Sequence, residues 1–265
     1  MDTRFWGPPG WKLLHLTATG ADQEENKDDI RKMFLLLPFI LPCKFCRQSL
    51  AEYYKDLPVP KRDFSKWLWL IHNKVNEKLR KQNLCNLPNP PFEMIDAQYK
   101  HMYSQGCTRV DFPGWNFLFS IADNHPIYSK SIPFDTPSPL PTSFEERNQY
   151  NILKPKERLV FYKEFFQVLP HSFPYKEWRE SFLRYANINS MDRHLKTRSS
   201  LLKWLYKIRC GMSKDLQWLA TNTYNGICKE VRQYRSGCAK DKKAKTCRRI
   251  VRKRASNKTR KQQKK

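Results

Sequence analysis

An all-α chain is predicted by three features of the sequence. Apolar residues recur at helical spacing, proline is abundant where glycine is scarce, and no window alternates apolar and polar residues as a half-buried strand does. The 265 residues hold 18 Pro and 8 Gly, a balance that suits helices punctuated by proline turns. With 40% hydrophobic and 14% aromatic residues, the chain can bury a real core, as one large domain or two small ones. No GxGxxG or GxxxxGK stretch is present, which excludes the usual strand-loop-helix phosphate cradles.

The elements follow in order. Trp11, Leu14, His15 and Ala18 fall at i, i+3, i+4 and i+7 and predict a first helix from Trp11 to about Ala21. Asp28 and Asp29 open a second, ended near Pro38. Pro42 stands where a third begins, carrying Cys43, Cys46, Leu50 and Tyr53 along one side. Asp63 or Ser65 caps a long fourth helix reaching about Lys81. Residues 91–105 make a short fifth, and the Pro-rich stretch 133–141 reads as a loop or linker.

The second half repeats the first in degraded form. Leu37–Tyr53 aligns without gaps on Leu169–Tyr185, preserving Pro42 as Pro174, Arg47 as Arg179 and Ser49 as Ser181. Pro9-Gly10-Trp11 with Leu14 and Ala18 matches Pro113-Gly114-Trp115 with Leu118 and Ala122. The segment around Trp204 echoes the helix around Trp69 more weakly. In the copy, Cys43 and Cys46 have become Tyr175 and Trp178, and His15 has become Phe119. The expected organisation is therefore a first helical domain over 1–108, a degenerate helical copy over 109–228, and a basic tail over 229–265.

Charge separates that tail from the body. Residues 229–265 hold 17 Lys/Arg and 2 Asp/Glu, a net of +15 out of the chain's +25. Such a polycation attracts nucleic-acid phosphates or an anionic membrane by counterion release; the alternative is a solvated tail with no specific partner. Met1–Pro9 lacks the basic start and apolar stretch of a secretory leader, and Phe34–Leu41 is too short to span a bilayer. A soluble protein made in the cytosol or nucleus is expected, where stable disulfides are uncommon and a CxxC pair is usually redox-active or metal-bound.

Cys43-Lys-Phe-Cys46 places two sulfurs on one side of a helix start, close enough to bridge, where unpaired backbone N–H groups favour the thiolate. This pair alone leaves open a zinc site completed by Cys85 and Cys107, or a thioredoxin-type motif lacking its usual strand-helix context. On the fourth helix, Trp69, His72, Asn73 and Asn76 share a face, while Leu68, Ile71, Val75 and Leu79 occupy much of the remainder. Amides and an imidazole on a doubly buried helix need a partner. A flat aromatic ligand supplies one, stacked on Trp11, His15 and His72 with Asn76 and Lys78 at its polar edges.

With these residues in view, the chain resembles the FAD-dependent sulfhydryl oxidases of the Erv/ALR family, and most of all those of large DNA viruses. The matching elements are Trp6-Gly7, Trp11-x-x-Leu14-His15, Pro42-Cys43-x-x-Cys46 and Trp69-x-x-His72-Asn73-x-Val75-Asn76-x-Lys78-Leu79, over roughly residues 4–108. The resemblance implies a four-helix bundle with a short fifth helix, holding FAD through Gly7, Trp11, His15, Trp69, His72, Asn73, Val75, Asn76, Lys78 and Leu79. Cys43 would accept electrons from a substrate dithiol and Cys46 would lie against the flavin, with O2 the final acceptor and H2O2 the product. Cys85 and Cys107 stand where the family has a structural disulfide. Cys238 and Cys247 are substitutes for the family's shuttle pair, and Cys210 with Cys228 would brace the second domain. Protein dithiols are the implied substrates, viral disulfide formation the implied role, and an intramolecular pseudo-dimer or a homodimer the implied assembly. No metal is expected. The competing reading is a non-enzymatic helical nucleic-acid-binding protein with structural or zinc-bound cysteines.

Overall fold

The computed structural model describes residues 1–23, 27–84, 87–126 and 158–235. The Pro-rich stretch 133–141, Cys85, Cys238, Cys247 and the basic tail beyond 235 lie outside the described residues. Within them the chain forms ten α-helices and no strand, as the sequence predicts. Among the described residues no helix is long and apolar enough to cross a membrane.

Helices α1 (Thr3–Gln23), α2 (Lys27–Ile40), α3 (Lys44–Asp56) and α4 (Phe64–Lys81) form the first bundle, and α5 (Phe92–Ser104) lies against α1 and α4. Helix α1 starts two turns before its predicted beginning and contains Pro8 and Pro9. Burial of Phe5 and Trp6 outweighs the two lost backbone donors. Helix α2 likewise runs past Pro38. Its missing N–H would leave the Phe34 carbonyl unpaired, and the Tyr54 hydroxyl donates to that oxygen at 2.9 Å. The start of α4 is also capped from a distance. Asp63 adopts φ 59° and makes no side-chain cap. Asp22, at the far end of α1, accepts from the Phe64 and Ser65 backbone N–H groups at 3.0 Å each.

The second half repeats this order with α6 (Trp115–Asp123), α7 (Arg158–Val168), α8 (Lys176–Ile188), α9 (Arg198–Asp215) and α10 (Tyr224–Gln233). Its contacts repeat too. The Arg47 guanidinium donates to the Leu41 carbonyl, and Arg179 donates to Phe173 O at 2.8 Å. Leu57 N–H closes α3 on Tyr53 O at 2.9 Å, and Asn189 N–H closes α8 on Tyr185 O at 3.3 Å. The Trp67 indole donates to Leu57 O at 3.1 Å, and Trp204 donates to Asn189 O at 2.7 Å. Trp204 thus makes the same kind of contact as Trp67, whereas Trp69 donates to Pro90 O.

Corresponding helices also meet across the halves, α1 on α6 and α2 on α7. Phe39 stacks on Phe161 there with ring centroids 4.0 Å apart. One continuous apolar cluster runs through both halves, so neither closes its core alone.

Candidate redox site

Helix α3 begins at a covalent loop. Cys43 and Cys46 are disulfide-bonded with Cα atoms 5.1 Å apart. Cys43 is the N-cap, extended at φ −132° and ψ 120°, and its sulfur accepts from the Cys46 backbone N–H at 3.2 Å. Cys43 is only 1% exposed, whereas Cys46 is half-buried. Reduction of this bond places two thiols at the positive end of a helix, where the thiolate is favoured.

The disulfide opens into a cavity of about 560 Å³, within the size range of cofactor pockets. Its polar lining includes Arg4, Ser49, Asn76 and Lys78. Trp11 stacks on His72 at 3.9 Å and 9°. His72 Nδ1 meets His15 Nε2 at 3.1 Å, and Tyr99 stacks on the other side of His15 at 4.7 Å. Burial drives the His15 pKa down to about 3, reinforced by the charge of His72, and drives His72 down to about 4. Both rings are neutral near pH 7, so one donates and the other accepts. Lys78 Nζ donates to Ser49 Oγ and ties α4 to the helix of the disulfide.

Of the residues singled out in the sequence, Gly7, Trp11, Cys43, Cys46, His72, Val75, Asn76, Lys78 and Leu79 line the cavity. His15 stands behind His72 rather than on the wall. Trp69 and Asn73 are not on it. The Trp69 indole turns away and donates to Pro90 O at 3.0 Å, with its ring edge-on to Phe92. The face α4 presents joins the apolar Leu68, Ile71, Val75 and Leu79 to the polar His72, Asn76 and Lys78, so half of the expected polar face lies at the cavity beside the apolar stripe. Tyr53, on the side of α3 that carries both cysteines, also lines the cavity, as do Tyr99 and Phe117, which the sequence did not single out. Phe117 comes from the second half, and helical spacing within one segment carries no signal for it.

Cys107, Cys210 and Cys228 are the free cysteines among the described residues. Cys107 is a buried free thiol whose sulfur donates to Glu177 at 3.6 Å, and its pKa is pushed up to about 12 by burial and then by Glu177. Its expected partner Cys85 lies outside the described residues. Cys210 and Cys228 are free thiols rather than a brace; each stands beside a tyrosine hydroxyl, Tyr206 and Tyr224 respectively. Among the described residues no group of three or more His, Cys, Asp or Glu could hold a metal ion.

The corresponding place in the second half is filled. Trp178, where Cys46 would be, is 1% exposed. Phe112 packs on it at 4.9 Å and on Trp115, the counterpart of Trp11, at 5.0 Å. Phe119 replaces His15 and is fully buried.

Known proteins match the first half. The Erv1/Alr family model matches residues 9–100. The FAD-linked sulfhydryl oxidase of African swine fever virus (isolate Pig/Kenya/KEN-50/1950) is 31% identical over 126 residues, covering 43% of this chain and 98% of the viral protein. The FAD-linked sulfhydryl oxidase ERV1 of Oryza sativa subsp. japonica is 33% identical over 99 residues, covering 35% of this chain and 48% of the plant protein. The mitochondrial FAD-linked sulfhydryl oxidase ERV1 of Saccharomyces cerevisiae is 27% identical over 92 residues, covering 32% of this chain and 49% of the yeast protein. No solved structure matches the chain. With a disulfide at a helix start, an aromatic and imidazole cavity beside it, and nearly the whole of a viral relative covered, this chain belongs to the Erv1/Alr family.

Proposed function

We propose that this chain is an FAD-linked sulfhydryl oxidase that forms disulfides in protein substrates. The observation that carries this reading is the Cys43–Cys46 bond on the wall of a cavity of about 560 Å³ lined by stacked rings. The wall fits a flat, polar-edged group. Trp11 and His72 offer faces, and Asn76 and Lys78 offer donors. When bound, FAD supplies a two-electron acceptor that O2 reoxidises with release of H2O2.

The chain's own residues perform the exchange. A thiolate of the donor dithiol, the tail pair Cys238/Cys247 once a substrate has reduced it, attacks Cys43 Sγ, displaces Cys46 as thiolate, and the donor's second thiol resolves the mixed disulfide. Two electrons and two protons pass from substrate to the Cys43/Cys46 dithiol. Cys46, the more accessible of the two and on the cavity wall, delivers them onward. The likeness to a viral oxidase supports a role in forming disulfides of virus proteins, in the cytoplasm and in the particle, which mass spectrometry of purified particles tests. The basic tail is assigned to an anionic partner, nucleic acid or membrane.

The electrons reach Cys43 through the tail cysteines Cys238 and Cys247. A short sequence supports this. Tyr103-Ser-Gln-Gly-Cys107 after α5 reappears as Tyr234-Arg-Ser-Gly-Cys238 after α10. In the first occurrence Tyr103 stacks at 5.1 Å on Tyr175, the counterpart of Cys43, and Cys107 lies beside Tyr175 and Glu177. In the second, Tyr234 O accepts from Asp2 N–H at 2.8 Å, and the adjoining Met1 amine donates to Pro42 O at 3.0 Å. Tyr234 is thereby anchored beside the Cys43 loop. A disulfide 1% exposed at Cys43 suits a thiol supplied by the chain itself better than one arriving from solution. We further read residues 109–228 as a duplicated, catalytically silent copy that stands where a second subunit would.

Four outcomes test these readings. Purified protein should show flavin absorption near ~450 nm and consume O2 with a dithiol, and Cys46→Ser should keep the flavin but reduce turnover to background. Full activity in that variant would remove Cys46 from the path. One FAD per chain should be bound, and the active species should sediment as a monomer; two FAD per chain would contradict a silent second half. In a Cys46→Ser/Cys247→Ser double variant, mild oxidation should join the Cys43 and Cys238 peptides, as read by mass spectrometry. Cross-linking of Cys43 elsewhere, or none, would exclude Cys238.

The fourth is a pH dependence. His15 and His72 have lowered pKa values in the folded protein, so below about pH 6.5 the unfolded chain binds protons that the folded one does not. Their contribution to stability is intact above that pH and is lost as pH falls towards about 4. Urea midpoints at pH 7 and pH 5 should therefore differ, and His72→Gln should shrink the difference. An unchanged difference in that variant would remove His72 as a source.

A further inference from the structure

Two positive surfaces meet on the second half. Residues 193–214 hold 7 Lys/Arg and no Asp or Glu. On α9, Lys203, Lys207 and Lys214 are all exposed and fall within about 40° of one another around the helix, spread over about 16 Å of its axis. Arg193 and Lys196 stand exposed just ahead of its first turn. Their charges converge on His194, whose pKa is lowered by burial and lowered further by Lys207, Arg193 and Lys203. The flanking acids are engaged elsewhere. Asp192 pairs with Lys163 at 3.1 Å, and Asp215 pairs with Arg184 at 3.1 Å.

The basic tail leaves from the same place. Arg198, the first residue of α9, donates from Nε to His125 O at 2.7 Å. Two residues before His125, the buried Asp123 accepts from Arg235 Nε at 2.7 Å. Helix α10 lies between: Tyr224 donates to Ser199 O at 3.1 Å, and the charge of Arg232 reaches that hydroxyl. The exposed Lys229 and Arg232 outnumber the one acid of α10, Glu230. From Arg235 the sequence continues through 236–265, with 14 Lys/Arg and one Asp. The cationic face of α9 and the polycation are therefore joined.

We infer that the α9 face, with Arg193, Lys196 and the tail, is an interaction surface for the sugar-phosphate backbone of a duplex nucleic acid. The inference deepens the reading of the tail as the segment that meets an anionic partner: it commits to one class of partner and adds a surface of the folded body. Charge complementarity gives the class, since closely spaced lysines set against closely spaced phosphates release condensed counterions. A membrane fits less well. Amphipathic binding at a bilayer buries apolar side chains as well as placing charge, yet residues 236–265 contain no Trp, Phe, Tyr, Leu or Met. None of the exposed large hydrophobic residues lies between 189 and 214. Phosphate contacts carry no sequence information, so binding is independent of base sequence. None of the α9 lysines lines the redox cavity, and this surface therefore holds the chain to its partner without entering the chemistry.

The experiment titrates the full chain into a fluorescent DNA duplex and reads anisotropy over a range of salt concentrations. Lys203→Gln/Lys207→Gln removes two exposed charges and leaves the core untouched. It should raise Kd about 10-fold or more near ~0.1 M salt and reduce the salt slope of log Kd by about 2. Two unrelated duplex sequences should bind alike, and oxidation of a small dithiol should be unchanged in the variant. Arg252→Gln/Lys253→Gln/Arg254→Gln tests the tail separately. Parental affinity and slope in the α9 variant overturn the inference, and a loss confined to the tail variant then leaves the tail reading standing alone. Tighter capture by phosphatidylserine/phosphatidylcholine vesicles than by the duplex, or no binding of the duplex at all, overturns the nucleic-acid assignment.

Discussion

Helix α2 must be kept dry, and the rest of the molecule is arranged around that requirement. Every side chain from Met33 to Ile40 is buried, so one neighbour cannot cover it. Helix α3 covers one side and α7 of the second half another. Pro38, which would normally end the helix, is accommodated because the Tyr54 hydroxyl takes over the exposed Phe34 carbonyl. The Pro42–Cys43 loop follows directly from the end of this helix. Its position is therefore fixed by a helix whose second half is buried on every side.

The two halves share a plan and differ in what they do with the central space. In the first, Gly10, the small Cys46 and the neutral His15–His72 pair leave a cavity with polar edges. In the second, Phe112, Trp178 and Phe119 fill the same place with rings. The rings of the second half pack on one another, and its buried apolar faces are turned on the first half. A chain built this way covers the α1 and α2 faces internally, so the interface cannot dissociate by dilution.

Neutral imidazoles are central to the site's electrostatics. Two cationic rings 3.1 Å apart in an apolar wall would repel each other, and burial suppresses both charges. The positive charge at the site comes instead from Lys78, held by Ser49 on the disulfide helix, and from the start of α3. Positive charge thus borders the cavity at the sulfurs and along its rim, while the stacked rings remain uncharged.

Much of this was legible in one dimension. Helical spacing and proline placement gave the helices to within a turn or two. The Cys43/Cys46 pair, His72, Asn76 and Lys78 were legible because their chemistry is out of place on an ordinary amphipathic helix. The repeat of Arg47 in Arg179 pointed to a second helical half, and both guanidinium groups donate to a backbone carbonyl just ahead of their helix. What the sequence left undecided were relations between segments. Trp69 and Asn73 share a predicted face with His72, yet which edge of that face meets the cavity depends on how α4 is rolled against α1, and contacts from other helices set that roll. Asp22 as the cap of α4, Tyr54 as the partner of Phe34, and Phe117 as a wall of the first half's cavity are pairings across tens of residues. No local pattern encodes them; they exist only once the helices are packed.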